Sequence, residues 1–269
     1  MLNEQSLATA IEGSTFVVHV ASPVARSFEN EDEVVKPAVN GTMAVVKACH
    51  SNRVRRLVVT SSIAAVTNVA AADKPADRIF NENHWTNPER EEGMGHYTKS
   101  KTLAEKAAWD FQASLPEGER FELATICPGF IMGPSLRKED FASGGYCKRI
   151  LTGEMNPISS DSIGTVDVRD CALMHKKAIE VTAAAGRRFI SVASSPKHHD
   201  IARPIVEKYG ALGWPVSTNY APDDPSNYVS LFDVTPSTEI LGVQYTELSS
   251  TMVEMADSLV QKGMITKPE

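Results

Sequence analysis

Tyr97 and Lys101 stand four positions apart in a run, His96 to Trp109, that holds no Pro or Gly and is rich in strong helix formers. In a helix these positions share a face, one turn apart. A free phenol has a pKa near 10, too high for ready proton exchange at neutral pH. A fixed ammonium beside it favours the phenolate, so Lys101 is expected to draw Tyr97 down and make it an acid–base group for an oxygen at a reacting carbon. Tyr-x-x-x-Lys alone is common on solvated helix faces. Its weight here comes from Arg56-Leu57-Val58-Val59-Thr60-Ser61-Ser62, an apolar, β-branched run that ends in hydroxyls. A buried parallel strand delivers side chains to the carboxyl edge of a sheet in this way.

The elements that must position these residues follow from the rest of the chain. Residues 4–12 read as the end of a helix closed by Gly13, and 16–20 as a buried strand that leaves through Ala21-Ser22-Pro23. Residues 31–51 read as a long helix with Asn30 or Asp32 as its N-cap. Strands are expected at 121–127, 165–169 and 187–192, and helices at 170–180, 202–210 and 248–263. Pro128-Gly129 and Gly133-Pro134 mark turns. Residues 67–95 and 135–165 show no strong period. Long loops at the carboxyl edge of a sheet often line pockets, so His84 and Trp85 are either pocket residues or simple packing.

The bulk numbers describe an ordinary globular protein. Hydrophobic residues make up 42% of the 269 and charged residues 23%, enough for a real core. A net charge of −7 without a basic cluster argues against nucleic acid and anionic membranes as partners. The apolar runs are too short for a membrane span, and the first residues lack the pattern of a signal peptide. Cys49, Cys127, Cys147 and Cys171 are widely spaced, which suits reduced thiols and a cytoplasmic location. His198-His199 has no ligand-like neighbours and reads as a surface turn; no metal site is expected.

The run Tyr97-Thr98-Lys99-Ser100-Lys101-Thr102-Leu103-Ala104-Glu105 resembles the extended short-chain dehydrogenase/reductase family. His19-Val20-Ala21-Ser22-Pro23, Lys36-Pro37-Ala38-Val39-Asn40-Gly41-Thr42, Val59-Thr60-Ser61-Ser62, Pro128 to Pro134 and Val166-Asp167-Val168-Arg169-Asp170 point to its branch of dihydroflavonol and cinnamoyl-CoA reductases. The resemblance implies an α/β fold: a Rossmann-like parallel sheet flanked by helices, with a small C-terminal substrate lobe. It divides the chain into a partial NAD(P)-binding region with the catalytic triad, 1–134, and a mixed region, 135–269, holding the substrate lobe and the remaining strands and helices. It implies NADP as cofactor (NAD not excluded) and a small carbonyl substrate. Ser62, Tyr97 and Lys101 are the implied catalytic residues. Val20, Ala21, Ser22, Ser61, Tyr97, Lys101, Pro128 and Ile131 are the implied cofactor contacts. Thr67 falls where dihydroflavonol reductases present an asparagine to substrate, and Gly93-Met94-Gly95-His96 replaces the aromatic signature of cinnamoyl-CoA reductases. A generic aldehyde or ketone is therefore the expected substrate.

The sequence contains no G-x-G-x-x-G turn, the usual pyrophosphate cradle. In the resembled family the strand matching 16–20 is the fourth of the sheet, so the fold is expected to be N-terminally truncated, by roughly 60 residues at about 30 per βαβ unit. The strand at 16–20 should then form an exposed edge through which the chain self-associates. Two readings stand: a reductase using Tyr97 as proton donor, and a truncated, inactive homologue acting through protein contacts or without function.

Overall fold

The computed structural model describes residues 4–23, 30–69, 74–89 and 95–268; Gly93 and Met94 lie outside them. In chain order the elements are α1 (Glu4–Ile11), β1 (Phe16–His19), α2 (Val35–Ser51), β2 (Arg56–Thr60), α3 (Ala64–Thr67), β3 (Ile79–Phe80), α4 (His96–Ser114) and β4 (Glu122–Pro128). They continue with β5 (Phe130–Met132), α5 (Ala142–Leu151), β6 (Thr165–Asp167), α6 (Val168–Glu180), β7 (Arg187–Ser191), α7 (His198–Ala211), β8 (Leu231–Phe232), α8 (Thr235–Glu239) and α9 (Leu248–Gln261).

The chain forms two units that interleave along the sequence. The first holds residues up to Pro128 together with Leu173–Ser191 and Phe232–Val243. The second holds Gly129–Ala172, Val192–Leu231 and Gln244–Glu269. The chain returns to the first unit twice, first with Leu173–Ser191, which brings β7 to pair with β4, and again with Phe232–Val243.

In the first unit the parallel sheet runs β1-β2-β4-β7. Val17 pairs with Leu57 and Leu57 with Leu123, so the β-branched and leucine side chains stack across neighbouring strands. Leu57, Val59 and Leu123 join Ile11, Val45, Val46, Cys49 and Ala108 in one core cluster, so α1, α2 and α4 cover this face. Asn30 serves as the cap the sequence offered, but for a short turn at Glu31–Glu33 that precedes α2; its side chain accepts the Glu33 N–H.

β1 has the apolar run of a strand covered on both faces, but it is exposed as expected of an edge strand: Phe16 and Val18 are more than one-third exposed and Val20 is 61% exposed. Val17 packs into the core, while among the described residues β1 pairs with β2 alone.

Arg56 starts β2 and is 1% exposed. Its Nη1 donates to the carbonyls of Ala178, Ile179 and Val181 at 2.7–2.9 Å, and its Nε to Glu122 at 2.7 Å. A helix C-terminus leaves carbonyls without partners, and this guanidinium satisfies those of α6.

The second unit packs α5, α7 and α9 around Ile150, Leu151, Ile201, Ile205, Met252 and Met255. Its two-stranded parallel ribbon, β5 with β6, begins at Gly129, where a Cβ would lie 2.4 Å from the Gly164 carbonyl oxygen; only glycine allows that approach. Asp167 closes β6. Burial pushes its carboxyl up, but hydrogen bonds from Arg169 and Thr251 outweigh this and hold it below the usual range. His198 and His199, expected in a surface turn, instead open α7 half-buried. His198 bonds the Tyr146 hydroxyl at 2.7 Å and His199 the Ile158 carbonyl at 3.0 Å. No described helix is long and apolar enough to cross a membrane.

Candidate active site

Ser62 stands two residues past the end of β2. The Ser61 N–H still donates to the Ile126 carbonyl at 2.7 Å, extending the ladder, and the chain then turns into α3. The Ser62 hydroxyl accepts the Ala64 N–H at 3.1 Å, which fixes the turn. Tyr97 sits in the first turn of α4, and its side chain hydrogen-bonds that of Ser62. Lys101 follows one turn later, its Nζ 6.0 Å from the Tyr97 ring centre and 3.4 Å from the Thr60 carbonyl oxygen. Ser62 and Lys101 are buried, whereas Tyr97 is 37% exposed. The first unit thus gathers a buried hydroxyl and a buried ammonium beside a phenol that opens to solvent.

The electrostatics differ from expectation. Burial pushes the Tyr97 phenol above its ordinary value, and the Ser62 hydrogen bond only partly opposes this. The lowering expected from Lys101 does not occur. That ammonium is itself desolvated, pushed down to about 8, and its bond goes to a strand carbonyl. Tyr97 is consequently a fully protonated phenol at neutral pH. Nearby, His19 at the end of β1 is pushed down to about 4, first by burial and then by the Lys101 charge, so its ring is neutral.

The remaining sequence candidates fall into three groups. Val20, Ala21 and Ser22 follow β1 as irregular chain at the carboxyl edge of the sheet, and the Pro128 carbonyl accepts the Ile63 N–H at 2.9 Å, beside the Ser62 turn. Ile131 lies in β5, in register with Val166 of the second unit. Ser61, Thr67, His84 and Trp85 have structural partners. The Ser61 hydroxyl donates to Glu105 at 2.5 Å, and that of Thr67 to the Ile63 carbonyl at 3.2 Å. His84 bonds Asn81, and the Trp85 ring lies 3.6 Å from the Arg188 guanidinium and 5.6 Å from the Lys106 ammonium.

Three residues near the site were not assigned from the sequence. His19 opens the His19-to-Pro23 motif but read as one more strand residue. Glu105 shares the face of Tyr97 and Lys101 at the next turn, a spacing that could have exposed it. Arg188, 8% exposed and in register with Thr125, gave no local signal at the start of an ordinary strand.

Residues 1–210 match the model of the 3-beta hydroxysteroid dehydrogenase/isomerase family. The chain is 30% identical over 266 residues to cinnamoyl-CoA reductase CAD2 of Medicago truncatula, covering 97% of this chain and 78% of that protein. It is 30% identical over 271 residues to tetraketide alpha-pyrone reductase 1 of Arabidopsis thaliana, covering 99% and 79%. The solved structure of Gre2 from Candida albicans in complex with NADPH superposes with a TM-score of 0.81 at 27% identity, covering 96% of this chain and 80% of that one. On these grounds the chain belongs to the 3-beta hydroxysteroid dehydrogenase/isomerase family, in the extended short-chain dehydrogenase/reductase branch of the cinnamoyl-CoA and anthocyanidin reductases.

Proposed function

We propose that this chain is an NADPH-dependent reductase of small aldehydes or ketones (NADH not excluded), with Tyr97 as proton donor. The observation that carries the reading is the meeting of Ser62, Tyr97 and Lys101 at the carboxyl ends of β2 and β4. The similarity to reductases, one of them solved with NADPH, supports the class of reaction.

The donor set fits a nicotinamide nucleotide. A lysine ammonium has three donors; among the described residues that of Lys101 makes one hydrogen bond, a long one to Thr60, which leaves donors for ribose hydroxyls. Val20, Ala21, Ser22 and Pro128 are the further candidate contacts in the first unit. When bound, the cofactor supplies the hydride. The protein's part is orientation and proton delivery. Ser62 donates a hydrogen bond to the substrate oxygen, Tyr97 gives that oxygen its proton, and Lys101 holds the ribose. The phenol starts protonated, as an acid must, while its raised value works against release of the proton, so the transfer depends on what stabilises the oxygen in the assembled site. Four free, buried cysteines suit a reducing compartment such as the cytoplasm.

The second reading, an inactive homologue acting through protein contacts or without function, draws on the missing G-x-G-x-x-G turn and the exposed edge of β1. Titration of the purified chain with NADPH, followed by cofactor fluorescence and by turnover of a panel of aldehydes and ketones, separates the two. Saturable binding with turnover is expected; no binding up to millimolar cofactor overturns the reductase reading.

A further inference from the structure

Glu105 and Arg188 form an ion pair, 1% and 8% exposed, behind the catalytic residues. Arg188 Nε donates to one Glu105 oxygen at 2.8 Å and Nη2 to the other at 3.1 Å. The same carboxylate accepts the hydroxyls of Ser61 at 2.5 Å and Thr125 at 2.7 Å, and the Trp109 ring N–H at 3.3 Å. Arg188 Nη1 holds the carbonyls of Glu82 and His84, both at 2.7 Å, and its planar face lies on Trp85. One buried pair thereby joins β2, β4, β7, α4 and the 82–85 segment.

Buried pairs are poor sources of net stability, since apolar side chains of similar volume do as well or better. What this pair supplies is geometry. Ser61 is the residue before Ser62, and Glu105 lies two turns below Tyr97 on the same helix face. The Ser61–Glu105 bond pins the end of β2 to α4, and Arg188 stops the carboxylate from shifting. We propose that Glu105 and Arg188 are positioning residues of the catalytic site, setting the distance between Ser62 and Tyr97 through the Ser61 hydroxyl. The proposal rests on the reductase reading for its consequence in turnover, but the positioning itself is measurable without turnover.

The test compares Glu105→Gln, Arg188→Met, the double variant and Ser62→Ala in protein labelled with 13Cζ-tyrosine, with the Tyr97 resonance assigned by Tyr97→Phe. Each single variant leaves a buried charge or its partners unpaired, so both melt at lower temperature. The double variant is uncharged at this position and regains most of the lost melting temperature. Its Tyr97 resonance nevertheless moves in the direction seen in Ser62→Ala, and its kcat falls about 10–100-fold while NADPH affinity is kept. A folded double variant with the Tyr97 resonance at the parent position overturns the proposal. Should the double variant not fold, Ser61→Ala removes only the connecting hydroxyl, and the same resonance decides. A parent chain without turnover would sink the reductase reading, and the resonance alone would then decide whether Glu105 and Arg188 position Tyr97.

Discussion

Lys101 and His19 share the interior beside the sheet's carboxyl edge, and the lysine charge adds to burial in keeping the histidine neutral. The imidazole is pushed down to about 4 from the usual 6.5. Between these values the unfolded chain binds a proton that the folded chain refuses, so stability falls as pH drops from 6.5 to 4. The loss is on the order of 3 kcal/mol. Urea unfolding of the parent and of His19→Asn across this window checks it. The variant's stability should change less with pH; equal slopes would contradict the assignment.

Tyr97→Phe deletes the proposed proton donor and little else. Turnover should fall by about 10²–10⁴, with melting temperature and NADPH affinity near the parent. Turnover at the parent level would exclude Tyr97 as the acid.

Lys101→Ala should weaken NADPH binding and slow turnover together, since the residue holds the ribose. In the parent, the group is pushed down to about 8, so cofactor affinity should decline as pH rises through that value. Fluorescence titrations from pH 7 to 9 measure this. An affinity that is flat with pH and unchanged in the variant would remove Lys101 from the ribose.

Arg56→Met leaves the last carbonyls of α6 without their donor and Glu122 with only the longer pairing to Arg55 at 3.9 Å. A loss of about 3 kcal/mol is expected in equilibrium unfolding, the scale for breaking a buried charged network from one side. A change below 1 kcal/mol would mean that water replaces the guanidinium readily.

Among the described residues β1 pairs with β2 alone, and Phe16, Val18 and Val20 beside it are exposed. Such edges template pairing with further strands. The 269-residue chain should therefore self-associate in sedimentation runs and bind NADPH weakly at best, and Val18→Lys should shift it toward monomer. A parent that stays monomeric at all concentrations and binds NADPH at micromolar levels would refute this.

Most of the first unit was legible in the sequence because its signals are local. Leu57-Val58-Val59 and Leu123 to Cys127 are short apolar runs that can hardly be anything but covered parallel strands, and both are 0–4% exposed at their named apolar residues. The helix around Tyr97 was legible for the same reason. α5 was not, because Gly144-Gly145 masks the spacing of Cys147, Ile150 and Leu151, which face the core. Gly144 is there for packing: a Cβ would lie 2.9 Å from the Phe141 ring. Glu105 read as one more charged helix residue, since the arginine that neutralises it lies 83 positions away. The Tyr97 expectation failed on burial. Spacing tells which charges are near a phenol, but only the packed structure tells how much water both have lost.

The carbonyls that Arg56 binds lie 122 to 126 positions further along the chain. Contacts at such separations carry a loop-closure cost and are associated with slow folding. The C-terminal turn of α6 is thus completed by a side chain from a strand more than 120 positions upstream. During synthesis, the first 128 residues would emerge with Arg56 still without its acceptors, so the pairing of β7 with β4 waits for chain made long after Tyr97.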